Sequence, residues 1–374
     1  MNRRRSVFVQ ALLVACLASP ALHAKEISFS FKSFDGFSLD AKLALPDGVT
    51  EQTATRVIVL IHGSGRADMD GDLTRVAVDK SKKLLLYKGL SDALTAKGFA
   101  VLRYHKRNYQ LFKIRNEMIA KGVTKAPEAL VRSARGFAAN PIKYFVEDAK
   151  SAAAAAKARL AKASVYLLGI SEGTYVGLQV LDQVKSIKGI ALIGFFAAPL
   201  DVLVFEQFVY RGMYAFRRLD KNHDERVDKA ELAAGGRMGQ NLLRQIAVLD
   251  LDKDGALDGS EFRAACLFDW YRFPRIPGYT IQVATYPTVK TILQRTTAKV
   301  AFFQGIWDNQ TPAYHAHSIK ILADRVWKKP FLFRFFPKLG HILHHQPRYD
   351  FIGFGPMDKT ARETIQNDLD RLFR

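Results

Sequence analysis

A chain of 374 residues is long enough to bury a large core and to form about one to three domains. Its formal charge of +20 would suit a nucleic-acid partner, but no helix-turn-helix, zinc-finger or RNA-binding pattern is present, so none is expected. Of the two cysteines, Cys16 falls in an N-terminal leader and Cys266 is left alone, which excludes an intramolecular disulfide.

Residues 1–24 read as a secretory leader. Arg3, Arg4 and Arg5 precede a mostly apolar run from Ser6 to Ala18, and Pro20 and Leu22-His23-Ala24 follow as a cleavage end. The run is too short for a membrane-spanning helix of ~20 residues. Leu13-Val14-Ala15-Cys16 resembles a lipobox, so lipid attachment at Cys16 stands beside cleavage after Ala24. The expectation is an exported chain, periplasmic or secreted. Without the three arginines it carries +17 (20 − 3), either for contact with an anionic envelope or for solubility alone.

Beyond the leader, strand-like runs alternate with helical ones, which predicts a mostly parallel sheet covered on both faces. Ile27 to Phe31 and Leu39 to Leu45 flank an Asp35-Gly36 turn and read as a hairpin. Arg56 to Ile61 is a continuous apolar run suited to a strand buried on both faces. Ala100 to Tyr104, Val165 to Leu168, Gly189 to Ile193, Val300 to Gln304 and Phe331 to Phe335 continue the series. Pro141 to Ala163 and Asp358 to Leu372 are the clearest helices. Between Phe195 and Thr296 the alternation stops. Helices and two acidic loops take over, with a return through Pro274, Pro277 and Pro287. The predicted division is a core over 25–197, a helical cap over 198–296 and the rest of the core over 297–374.

Several motifs sit on this frame. Leu168-Gly169-Ile170-Ser171-Glu172-Gly173-Thr174 places a serine in Gly-x-Ser-x-Gly between a strand and a helix, where it must turn sharply and project its Oγ from the sheet. The next amide, Glu172 N–H, then points at a developing oxyanion. His62-Gly63-Ser64-Gly65 follows the central strand. Trp307-Asp308-Asn309 and Gly340-His341 follow the last two strands, 33 residues apart (341 − 308).

This arrangement resembles the α/β-hydrolase superfamily over essentially all of 26–374 apart from the insertion. The resemblance implies an α/β-hydrolase fold and a triad in the order Ser171, Asp308, His341. It also implies an oxyanion hole from the Ser64 and Glu172 amides. Asp201 is the alternative acid, and His344 and His345 are neighbours that compete with His341. One departure is His105-Lys106-Arg107-Asn108, where relatives commonly carry an Asp-x-Arg-Gly turn.

The two acidic loops resemble EF-hand loops. The first offers Asp220, Asn222, Asp224, the Arg226 carbonyl, Asp228 and Glu231; the second offers Asp250, Asp252, Asp254, the Ala256 carbonyl, Asp258 and Glu261. Val227 and Leu257 at the eighth positions are expected to meet in a short antiparallel contact. Gly255 suits the sharp turn of the second loop. Glu225 must adopt a positive φ in the first, so weaker binding is expected there. Cys266, among Phe262, Ala265, Leu267 and Phe268, reads as a small core residue.

The resemblance implies a serine hydrolase whose cap is held by Ca²⁺, with no metal in the chemical step. Carboxylic esters are the expected substrates, small or lipid-like. Phe195, Phe196, Phe205, Phe208, Tyr210, Trp270, Tyr271 and Phe273 would line the cap or fill its core. A peptidase or amidase with the same triad is the alternative. A calcium-dependent binding protein on a hydrolase scaffold is the non-enzymatic one.

Overall fold

The structure is a computed structural model that describes residues 25–273, 285–351 and 353–374. The leader with Cys16, and the return through Pro274 and Pro277, lie outside the described residues.

Ten strands form among the described residues, and each strand-like run named above becomes one. They are β1 (Lys25–Lys32), β2 (Ser38–Leu45), β3 (Arg56–Ile61), β4 (Ala100–Tyr104), β5 (Ser164–Ile170), β6 (Gly189–Ile193), β7 (Arg226–Asp228), β8 (Ala256–Asp258), β9 (Lys299–Gly305) and β10 (Leu332–Phe336). Eight make one sheet in the order β1-β2-β4-β3-β5-β6-β9-β10. The hairpin β1–β2 and the pair β2–β4 are antiparallel, and the remaining neighbours are parallel. This is the α/β-hydrolase fold that the motifs implied.

The period of two along a strand divides the core. From β3, Val57, Val59 and Ile61 face one layer, with helices Pro141–Arg159 and Glu172–Gln183. Ile58 and Leu60 face the other, with helices Leu86–Thr95 and Lys359–Leu372. Pro141 at the first helical position and the Asn140 side chain, which accepts from Lys143 N, start the longest helix where its sequence predicts. The parallel strands thus end together at one edge, where such sheets bind ligands.

Two helical pieces are added to this frame. Between β4 and Pro141 stands a hairpin of helices Arg107–Ala120 and Glu128–Ala139, which turns at Gly122 (φ 67°). Between β6 and β9 lies the larger insertion. Its acidic loops end in β7 and β8, which pair antiparallel with Val227 opposite Leu257. Phe216, Leu219, Val227, Leu232, Leu257 and Phe262 gather there into a small apolar core. Cys266 joins it as a buried thiol, pushed up to about 11 by burial.

One expectation is corrected. Phe195 and Phe196 belong to the main core and line no cap: both are fully buried, Phe195 edge-on to Phe302 and Phe196 stacked on Tyr175. They directly follow β6, so the sheet claims them.

Candidate active site

Ser171 follows β5 directly and precedes the helix Glu172–Gln183 at φ 56° and ψ −124°. Positive φ strains a residue with a Cβ by about 1–2 kcal/mol, so the surroundings must impose it. A Cβ on Gly169 would lie 2.3 Å from the Gly173 carbonyl oxygen, and one on Gly173 would lie 2.3 Å from that of Ile61. Both flanking glycines are therefore required by close backbone approach. The Ser171 amide donates to the Ile193 carbonyl at 2.9 Å, which ties the elbow to β6.

The turn after β3 lies directly against this elbow, since a Cβ on Gly63 would sit 3.2 Å from the Ser171 Cβ. Three side chains pin it. Gly63 N donates to the Tyr87 hydroxyl at 2.8 Å, Lys106 Nζ donates to the Gly63 carbonyl at 2.6 Å, and Asn108 Nδ2 donates to that of Gly65 at 2.9 Å. The Ser64 amide keeps no acceptor among the described residues. Glu172 is the first residue of its helix, the position from which helices present N–H groups outward. Its side chain is buried and accepts from Lys106 Nζ at 2.6 Å. Beneath the turn, burial and then the Lys106 charge push the His62 imidazole down to about 3, so it packs neutral against Tyr87 and Tyr104.

After β9 and β10 the chain brings Asp308 and His341 together. His341 Nδ1 lies 2.9 Å from Asp308 Oδ2 and 3.1 Å from Oδ1. Asp308 is fully buried and accepts from the amides of Gln310 and Thr311, the Thr311 hydroxyl and Gln304 Nε2. Burial raises its carboxyl, but the His341 charge and the donors outweigh that and hold it below the usual carboxylate value. An ionised Asp308 fixes the proton on Nδ1 and leaves Nε2 as the base. The His341 ring rests against Gly194, where an added Cβ would come within 3.0 Å of it. Gly194 follows Ile193, so Ser171 and His341 flank the same end of β6.

The competing residues are engaged elsewhere. Asp201 accepts from the amide of Val202 within its own helix start. His344 is buried beside Gln346 and pushed down to about 4, chiefly by burial. His345 is exposed and pairs with Asp358. Thr311, Gln304 and Tyr87 escaped the sequence reading, while Lys106 entered it only within the departure at His105-Lys106-Arg107-Asn108. Only Asp308-x-x-Thr311, a spacing at which a hydroxyl reaches back to a carboxylate, could have signalled one of them.

The acidic loops repeat one geometry. Glu225 and Gly255 sit at φ 66° and 90°, and His223 and Lys253 at 61° and 63°. Asp228 with Glu231, and Asp258 with Glu261, form capping boxes that start the helices Lys229–Ala234 and Gly259–Tyr271. Carboxylate oxygens of Asp250, Asp252 and Asp254 converge within 4.8 Å of one another. In the first loop the buried Asp220 Oδ1 has no hydrogen-bond partner among the described residues. Converging oxygens and an orphaned carboxylate atom fit a hard cation. Arg226 reaches across from the first loop to form an ion pair with Asp254 of the second.

Comparison with known proteins agrees with this description. A family model described as EF hand matches residues 243–267, which contain the second loop. Esterase EstD of Thermotoga maritima is 29% identical over 184 residues, 49% of this chain and 36% of EstD, so the match spans about a third of that relative's length. A Pyrococcus furiosus esterase structure superposes with a TM-score of 0.52 at 11% identity, covering 94% of this chain and 92% of its own. A puromycin-hydrolyzing peptidase from Mycobacterium tuberculosis gives 0.51 at 14% identity, covering 94% and 39%. These likenesses show the fold.

Proposed function

We propose that this chain is a serine hydrolase that cleaves carboxylic esters through an acyl-enzyme. The observation that carries the reading is convergence at one sheet edge: a positive-φ serine after β5, a pinned glycine turn after β3, and a hydrogen-bonded acid–imidazole pair after β9 and β10. The esterase EstD likeness points to the same reaction class.

In this mechanism Ser171 Oγ attacks the ester carbonyl carbon while His341 Nε2 takes its proton. Asp308 holds the imidazole tautomer and stabilises the imidazolium. The Ser64 and Glu172 amides receive the oxyanion. The ester C–O bond then breaks, and the leaving alkoxide takes the proton from His341. Water attacks the acyl-serine with His341 again as base, which releases the carboxylic acid and restores Ser171.

The insertion, taken as 198–296, serves as a cap over this edge. Each of its loops holds one Ca²⁺, the second more tightly, and the ions steady the cap without entering the chemistry. The leader directs export, with Cys16 as an optional lipid anchor, and the basic surface meets an anionic envelope. Fluorophosphonate labelling followed by peptide mapping tests the nucleophile: a single adduct on Ser171 is expected, and no labelling would leave a non-enzymatic calcium-binding protein. A panel of esters and peptides separates esterase from peptidase, with faster turnover of esters expected.

A further inference from the structure

The helical hairpin inserted after β4 was not anticipated from the sequence, and it lines an open groove of about 700 Å³. That volume lies within the range of roughly 300–1,000 Å³ typical of small-molecule sites. Leu111 and Leu130 form the floor and pack onto the main core. Phe112, Ile119 and Val123 line the same groove and remain exposed, an unusual concentration for one short hairpin.

The rim has the opposite character. Arg66, Arg115 and Arg135 line the groove, and none forms an ion pair among the described residues. Arg66 stacks over the Phe112 ring at 4.0 Å, so its guanidinium is held at the entrance. Three cations around an apolar groove repel one another and are stabilised by an anion. Guanidinium groups match phosphate and carboxylate oxygens in bidentate fashion.

The groove also starts at the candidate active site. Arg66 lies two residues beyond Ser64, and Asn108, at the start of the hairpin's first helix, donates to the Gly65 carbonyl at 2.9 Å. The oxyanion turn and the groove are thus joined by one hydrogen-bonded connection.

We propose that the groove between helices Arg107–Ala120 and Glu128–Ala139 binds the alkyl chain of an anionic amphiphilic ester, with the anionic group held by Arg66, Arg115 and Arg135. The inference rests on the hydrolase reading for the ester and on the groove itself for the amphiphile. Chain length contributes about fourfold in affinity per buried methylene, and the arginines contribute selectivity for charge.

The test uses dodecyl phosphate below its micelle concentration and the full chain. Calorimetric titration should show it binding at least tenfold tighter than uncharged dodecyl maltoside. The Arg115→Gln/Arg135→Gln variant should lose most of that ratio while its melting temperature stays put. Dodecyl phosphate should raise KM for p-nitrophenyl decanoate and leave KM for p-nitrophenyl acetate, too short to occupy the groove, within twofold. Equal affinity for both amphiphiles, an unchanged ratio in the variant, or equal effects on the two esters would each overturn the proposal. Ser171→Ala separates it from the hydrolase reading. Persistent ester turnover by Ser171→Ala sinks that reading alone, whereas the titrations decide the groove.

Discussion

The Ser171 elbow and the two acidic loops both hold non-glycine residues at positive φ, and they do so by different forces. At the elbow, neutral backbone closes in from three sides: Gly169 against Gly173, Gly173 against Ile61, and Gly63 against Ser171 itself. In the loops, His223, Glu225 and Lys253 sit among carboxylates that accept neighbouring amides. Asp220 accepts from Glu225 N at 3.2 Å and Asp250 from Gly255 N at 2.9 Å, while Glu231 and Glu261 each accept an amide at 2.6 Å. Packing is indifferent to salt and metal. Clustered carboxylates repel one another and hold their shape best with a cation among them. The elbow should therefore keep its geometry under conditions that loosen the cap.

The largest effects should come from the elbow side and spare the fold. Ser171→Ala should lower kcat by ~10⁶, as in dissected triads, and Asp308→Asn by ~10⁴, both measured on a short ester. Asp201→Asn should leave kcat within a few-fold. If the two aspartate variants behave the other way round, the acid follows β6 and the contrast drawn here is misplaced.

Lys106→Met probes the link between turn and elbow. It removes the cation beside a buried carboxylate and the donor to Gly63, and breaking a buried pair from one side costs about 3–5 kcal/mol. Denaturant titration should show that loss, and kcat should fall more than KM rises. Lys106→Met/Glu172→Gln should recover much of the stability and little of the rate. Equal recovery of both would mean that Lys106 serves the fold alone.

Acid should weaken the elbow side through His62 and Asp308. His62 is depressed to about 3 in the fold and has an ordinary value of ~6.5 unfolded. Between those values the unfolded chain binds the extra proton, so its contribution is complete above pH ~6.5 and is lost as pH falls toward 3. Asp308, also depressed, acts in the same direction at lower pH: its contribution is present above ~3.9 and is lost as pH falls through its folded value. Melting temperature should fall from pH 7 to 4, and His62→Phe should flatten the upper part of that slope.

Calcium removal should act on the cap only. Chelation should lower the melting temperature of the cap and raise KM for bulky esters, with acylation by a small ester within twofold. Glu261→Gln should reproduce most of this and Glu231→Gln less. Loss of small-ester acylation with the fold intact would place calcium at the chemistry and erase the contrast. The smallest effect is expected from Glu225→Gly. It relieves about 1 kcal/mol of backbone strain and should tighten calcium binding in the first loop several-fold.

Most of the sheet was legible because buried parallel strands are continuous apolar runs, and β3, β4 and β6 have the bounds that their sequences predict. The loops were legible because oxygen-bearing residues recur in them at one register, twice over. That Ser171, Asp308 and His341 each follow a strand was also legible, because turn residues mark those strand ends. The Lys106–Glu172 pair was not, since its members lie 66 residues apart and each looks like a surface residue alone. Arg107 is similar: it reads as a loop charge, yet it is fully buried between Asp35 and Asp148. The hairpin of helices after β4 escaped because its first helix scatters its apolar residues around several faces instead of gathering them in one stripe, and buries only Arg107 and Gln110.

The ion pair between Arg226 and Asp254 sets a cation of the chain itself beside the oxygens of the second acidic loop. The arginine belongs to the first loop by sequence and to the second by charge, so a divalent ion entering the second loop would meet a monovalent one that the chain already carries. Both partners are about a third or more exposed, so the competition is shallow. Added salt screens it and should ease the exchange even as it weakens calcium binding in general. The arm is carried on β7, which pairs with β8 through Val227 and Leu257, so the two loops are joined by one short strand pair.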